Sequence, residues 1–167
     1  EAGQVHIWHI RLENRVISFD FLSTDERERA ERLRFPAERA QFTTSRTILR
    51  QLLAGYMGID AREVAFTILP DGKPVLAGSA QREALHFNVS HSQNCLLLAF
   101  STVGPLGVDV ERLRPVEGQG WALTHLFSAK ERALLDALPL AQRAAAFMAI
   151  WTLKEAAGKA DGRGVRT

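Results

Sequence analysis

The sequence predicts an α+β protein in two parts, and three observations lead to that class. Segments with strand and helix character follow one another as β-α-α-β-β-β and then β-α-α. A Gly104-Pro105 pair separates the two runs. A hydrophobic content of 46% against 24% charged residues fits a folded chain of 167 residues with a core of ordinary size. The expected division is therefore residues 1–104 and residues 105–167. The second run stops at Thr167 before any strands that its helices should cover. The second half is accordingly expected to be truncated at its C-terminus.

Taken in order, Val5 to Ile10 alternates in polarity as a strand does, with Trp8 and Ile10 on one face. Ser23 followed three residues later by Glu26 is a capping box that opens a helix. The alternating signs of the next stretch, ERERAERLRF, read as a solvated helix face with internal ion pairs. Pro36 suits the first turn of a second helix running to Met57, and Gly58 is placed to end it. Phe42, Leu49, Leu52, Leu53 and Tyr56 give that helix an apolar stripe, while Arg46 and Arg50, four apart, share a face.

Val64 to Leu69 reads as a strand and Pro70 to Pro74 as a turn with Gly72 at its strained position. Strands follow at Leu85 to Val89 and Cys95 to Ser101, then a short one at Gly107 to Val110, interrupted by Asp109. Ser128 and Glu131 form a second capping box, opening a helix through Leu138. A last helix runs from about Ala141 to Lys159 and stops at Asp161-Gly162.

Composition excludes several classes. No apolar run approaches the roughly 18 residues of a membrane span, and the opening EAGQVHIW has no leader-like pattern. Cys95 is the lone cysteine, which excludes an internal disulfide and fits a cytoplasmic protein. A formal charge of +2 gives no argument for nucleic acid. Arginine outnumbers lysine 17 to 4, so Lys73, Lys130, Lys154 and Lys159 stand out against the default cation. The five histidines lack zinc-site spacing.

Three constellations carry chemistry. In Gly107-Val108-Asp109-Val110-Glu111, a strand would put Asp109 and Glu111 on one face and turn Val108 and Val110 into a core. Such a carboxylate pair suits Mg²⁺ or Mn²⁺; the alternative is a sheet-end pair exposed to water. In Trp151 to Lys159, Trp151, Glu155 and Lys159 recur every four residues along one helical face. A carboxylate one turn from an ammonium serves as base or metal ligand beside a phosphate-neutralising cation, or is an ordinary ion pair. Trp151 reads as core packing, and Lys154 falls off that face. In Phe87-Asn88-Val89-Ser90-His91-Ser92, a hydroxyl and an imidazole at a strand end suit a phosphate. They do not suit a Ser-His nucleophilic pair, because neighbours on a strand point to opposite faces.

Read in order, Gly72-Lys73-Pro74, FNVSHS, GVDVE, FSAKE (Phe127 to Glu131) and WTLKEAAGK resemble the motif set of the Sfp-type phosphopantetheinyl transferases. The stretch SRTILRQLL (Ser45 to Leu53) is similar to the family's helix before the GKP turn, and the likeness runs from about Leu22 to Val165. The resemblance implies two similar halves related by pseudo-twofold symmetry, with the active site between them. It implies transfer of the 4′-phosphopantetheine arm of coenzyme A to a serine of an apo acyl or peptidyl carrier protein. Mg²⁺ (Mn²⁺ possible) would be held by Asp109, Glu111 and Glu155. Glu155 would take the serine proton, and Lys159 would neutralise the departing pyrophosphate. Ser90 and His91 would meet the phosphates of coenzyme A, His91 the 3′-phosphate. Lys73 would form part of the adenine-side wall, with Arg46 and Arg50 near the nucleotide.

For Glu131 the cap comes before any catalytic role. The family's upstream basic residues have no clear counterpart in the acid-rich DERERAERLR, where Arg29 and Arg32 are the candidates. A monomer acting on carriers through Arg112, Arg114 and Arg132 is the expectation, with neither nucleic acid nor membrane as partner. The rival is a non-catalytic relative that only binds coenzyme A or a carrier protein.

Overall fold

The hydrophobic residues of Val5–Arg11 (β1) alternate, and the strand pairs antiparallel with Cys95–Ser101 (β5) in the register Val5↔Ser101 to Arg11↔Cys95. β5 pairs on its other side with His86–Ser92 (β4), giving a three-stranded antiparallel sheet in the order β1-β5-β4. A two-residue connection, Gln93-Asn94, joins β4 to β5, and Gln93 takes the positive φ (50°) that such a hairpin requires. This is a computed structural model describing residues 3–12, 19–70, 72–78, 85–115 and 123–162.

Two helices follow β1. Thr24–Arg32 (α1) opens on the capping box of Ser23 and Glu26, both reciprocal bonds being formed. Pro36–Met57 (α2) has Pro36 in its first turn and ends at Gly58, whose φ of 66° suits a residue without a Cβ. Its buried Ile48, Leu49, Leu53 and Ala54 pack on one face of the sheet against Phe87, Leu96, Leu98 and Phe100. Trp8 on β1 donates its indole N–H to the Tyr56 hydroxyl of α2 at 3.0 Å. Phe66–Ile68 (β2) and Pro74–Leu76 (β3) form a separate hairpin. β3 lies where the sequence reading ended a turn and placed no strand. Asp71 of that turn lies outside the described residues.

Beyond β5 the chain runs extended through 105–112 without joining a sheet, so the strand expected at Gly107 to Val110 is corrected. Ala129–Ala137 (α3) opens on the capping box of Ser128 and Glu131. Leu140–Asp161 (α4) ends at Gly162, φ 68°. Phe127, Leu135, Phe147 and Met148 form a second, smaller core, against which Trp151 packs. The two clusters draw on residues to either side of Gly104-Pro105. No described helix is long and apolar enough to cross a membrane.

α1 presents the solvated face expected of it at Arg27, Glu28, Arg29, Glu31 and Arg32, but Glu26 is turned inward. Glu26 is 9% exposed and points into α2, where its carboxylate meets Arg50 Nε at 2.7 Å and Arg46 Nε at 3.3 Å. A buried carboxylate needs such partners, and the alternation of signs alone did not reveal which charge was inward.

Candidate active site

Period-2 polarity in β4 builds the floor of the site. Phe87, Val89 and His91 face α2; Asn88, Ser90 and Ser92 face the other way, toward the extended segment. That segment has the same period, so its alternate N–H groups meet alternate β4 side chains. Val108 N–H donates to Asn88 Oδ1 (2.8 Å), Val110 N–H to Ser90 Oγ (3.3 Å) and Arg112 N–H to Ser92 Oγ (3.1 Å). Each serine in turn donates to a carboxylate, Ser90 to Asp109 (2.8 Å) and Ser92 to Glu111 (3.0 Å). Asn88 and Ser92 were missed as site residues, although the alternation in FNVSHS was the signal for them.

Gly107 lets this segment cross α4. A Cβ there would overlap the Ala156 carbonyl oxygen outright and lie 2.6 Å from Ala160 N, both backbone atoms that cannot step aside. The close crossing carries Lys159 to Asp109. Its ammonium donates to Asp109 Oδ1 (2.6 Å), Ser90 Oγ (3.1 Å) and Val108 O (3.3 Å). Asp109 Oδ2 is buried with no hydrogen-bond partner. An orphaned carboxylate oxygen is costly unless something charged comes to meet it.

Glu155, one turn before Lys159 on α4, lines a cleft of about 470 Å³ with Lys73, Asn88 and Lys159. Asp109, Glu111 and Glu155 are not gathered into one metal-holding group; no such group of three occurs among the described residues. Three bare carboxylates repel one another, and here Lys159 supplies the compensating charge to Asp109. The donor chemistry nonetheless fits a hard cation: Asp109 Oδ2 is orphaned, Glu111 is exposed, and both are oxygen ligands.

A second cleft, about 520 Å³, opens on the α2 side of β4. Arg29, Ser45, Arg46, Phe42 and His91 line it, and Ser45 Oγ is buried without a partner. Arg46 lies over the Phe42 and Phe66 rings. Burial lowers its pKa from the usual value, Glu26 opposing that effect and Arg29 and Arg50 adding to it. His91 thus lines this cleft, whereas Ser90 is buried, its hydroxyl engaged by Asp109, Val110 N–H and Lys159. The two clefts meet along the outer strand of the sheet, for both are lined by Gly72, Pro74 and Val89.

Two expected nucleotide residues stand elsewhere. Arg50 is 2% exposed and bonds Glu26 together with the Ala61 and Val64 carbonyls at 3.0 and 2.8 Å, a place in the core that no nucleotide reaches. Lys73 does not line the cleft of His91 and Arg46; its ammonium goes to the carbonyls of Leu106 and Lys159. Arg29, one of the two upstream candidates, does line that cleft, stacked over Phe42 at 5.2 Å.

Comparison with known proteins bears directly on this arrangement. Residues 6–103 match the family model of the 4′-phosphopantetheinyl transferase N-terminal region, and residues 105–167 that of the 4′-phosphopantetheinyl transferase superfamily. The 4′-phosphopantetheinyl transferase HetI of Nostoc sp. strain PCC 7120 is 39% identical over 98% of this chain and 71% of its own length. A putative 4′-phosphopantetheinyl transferase of Synechocystis sp. is 36% identical over 86% of this chain and 58% of its own. The 4′-phosphopantetheinyl transferase Sfp of Bacillus subtilis is 25% identical, over 87% and 62%. The chain therefore spans about three-fifths to seven-tenths of these relatives.

Proposed function

The chain belongs to the 4′-phosphopantetheinyl transferase superfamily, and on that premise we propose that it transfers the 4′-phosphopantetheine arm of coenzyme A to a serine of an apo carrier protein. The observation that carries the reading is the buried, orphaned Asp109 Oδ2 bonded through its other oxygen to Lys159, which with Glu155 lines a cleft that meets a second one lined by arginines and a histidine. Such a pair of clefts suits a ligand in which a phosphorylated nucleoside is joined directly to a pyrophosphate. Coenzyme A has that form.

In this reading the carrier serine oxygen attacks the β-phosphorus of coenzyme A, the bridging P–O bond breaks, and 3′,5′-adenosine diphosphate leaves. Glu155 accepts the serine proton, and Lys159 neutralises charge on the departing phosphate. Asp109 and Glu111, with Glu155 from α4, would hold Mg²⁺, which supplies charge neutralisation for the pyrophosphate. His91, Arg46 and Arg29 would bind the nucleotide end, with His91 on the 3′-phosphate. The attacking hydroxyl belongs to the partner, so the chain needs no nucleophile of its own, and Ser90 and His91 point to opposite faces of β4. We also propose that Gly104-Pro105 divides the two halves between which coenzyme A is held.

The test mixes the protein with coenzyme A, Mg²⁺ and a panel of apo acyl and peptidyl carrier proteins, with products read by mass spectrometry. The expected result is a carrier bearing the phosphopantetheine mass, and its loss in Asp109→Ala at unchanged circular dichroism. Absence of modification on every carrier, with coenzyme A still bound, would leave the non-catalytic binding relative as the correct reading.

A further inference from the structure

Lys73 stands in the turn between β2 and β3, and its side chain leaves that hairpin for the other half of the molecule. The ammonium donates to the Lys159 carbonyl at 2.6 Å and to the Leu106 carbonyl at 3.4 Å. The Lys159 carbonyl is one of the last four of α4, which no intrahelical N–H reaches. A cation is favoured there by the negative end of the helix dipole. The second acceptor, Leu106, precedes the glycine at which the extended segment crosses α4.

The residue held by its carbonyl is the one whose own side chain holds Asp109. Lys73 fixes the backbone of Lys159, and the Lys159 ammonium then bonds Asp109, Ser90 and the Val108 carbonyl. Two lysines in series thus tie the β2–β3 turn to the carboxylate segment. Gly72 and Pro74, on either side of Lys73, line the cleft of His91 and Arg46, while Lys73 itself does not. The same short turn therefore lines both clefts through Gly72 and Pro74 and secures the cleft of Glu155 with the Lys73 side chain.

We infer that Lys73 is a positioning residue for the reaction: it docks the end of α4 on segment 106–109 and sets the Lys159–Asp109 contact, rather than binding the nucleotide. The activity readout rests on the transferase reading above; the exchange readout below does not.

Lys73→Met keeps the aliphatic stem and removes every donor, and Lys73→Arg keeps a charge able to reach two carbonyls. Steady-state kinetics with coenzyme A and with its 3′-dephospho analogue should show kcat for Lys73→Met reduced roughly tenfold or more, because small misplacements near the reacting atoms cost that much. KM should stay within about twofold for both substrates, the mark of an interaction not made with bound substrate. Lys73→Arg should recover most of kcat. Amide hydrogen exchange should quicken at residues 106–110 and 156–162 in Lys73→Met, with α2 unchanged.

A rise in KM for coenzyme A that is smaller for the 3′-dephospho analogue, with kcat intact, would make Lys73 a nucleotide ligand and overturn the inference. Unaltered exchange in those two segments would overturn it as well. Should the wild-type protein transfer nothing, the transferase reading fails while the exchange measurement still decides on the tether.

Discussion

The pair α1–α2 and the pair α3–α4 are built alike, and they differ in what lies beneath them. Each begins with a nine-residue helix opened by a Ser-x-x-Glu capping box and continues into a 22-residue helix ended by a left-handed glycine. In each, the capping glutamate also forms an ion pair with a cation on the long helix, Glu26 with Arg50 and Glu131 with Lys154. Each of those cations stands eight residues before its terminal glycine. α2, however, lies on a three-stranded sheet, whereas among the described residues α4 lies across one extended segment. The first cation is 2% exposed and the second 16%. One arrangement thus serves as scaffold where a sheet backs it. Where none does, it leaves the next residues of the helix, Glu155 and Lys159, in a cleft.

That contrast is open to test, beginning where the effect is largest. Arg50→Ala leaves the buried Glu26 with only its longer contact to Arg46 and strips the Ala61 and Val64 carbonyls of a buried donor, so urea unfolding should show a loss of about 3–5 kcal/mol. Lys154→Ala, at the matching place, should cost about 1 kcal/mol or less because its pair is partly solvated. Equal losses would mean that the two pairs do the same work and that the sheet is irrelevant to the difference.

Gly107→Ala probes the thinner support of α4. The added methyl meets the helix backbone rather than a movable side chain, and overpacking of that kind costs about 1–3 kcal/mol. Phosphopantetheine transfer should fall by more than stability does, since Lys159 is pushed away from Asp109. Retained transfer would show that the crossing distance does not set the site.

The smallest effect is one of pH. Burial would raise the Glu131 pKa, but the Ser128 N–H and hydroxyl and the Lys154 ammonium outweigh it and hold the carboxyl below its ordinary value. A lowered folded pKa means stability present above the ordinary carboxylate range and lost as pH falls through the folded value. Glu131→Gln should therefore melt a few degrees lower than wild type near neutral pH, and that gap should close on acidification below about pH 4. A gap that persists in acid would assign the effect to side-chain shape and not to charge.

The local parts of this design were legible in the sequence. Capping boxes and terminal glycines depend on residues three or four apart, and Ser23, Ser128, Gly58 and Gly162 all stand where the sequence placed them. What depended on distant partners was not legible. The alternation in GVDVE showed that the segment is extended, but its N–H groups meet side chains of Asn88, Ser90 and Ser92, so no sheet results. The four-residue spacing of Arg46 and Arg50 put both on one face, yet only the packing of β2 and the loop before it shows which of them is interior. The resemblance alone put Lys73 in the adenine-side wall. Its amine answers to a carbonyl 86 positions away, which no local pattern records.

The two serine rungs between β4 and the extended segment also govern how the gene tolerates insertions and deletions. Since both partners repeat every two residues, a one-residue indel between Val108 and Arg112 would turn the carboxylates over and present valines to the hydroxyls. The same change between Ser101 and Pro105 shifts the phase of nothing and only alters the length of a connection. Length variation should therefore collect on one side of Gly107 and be purged on the other.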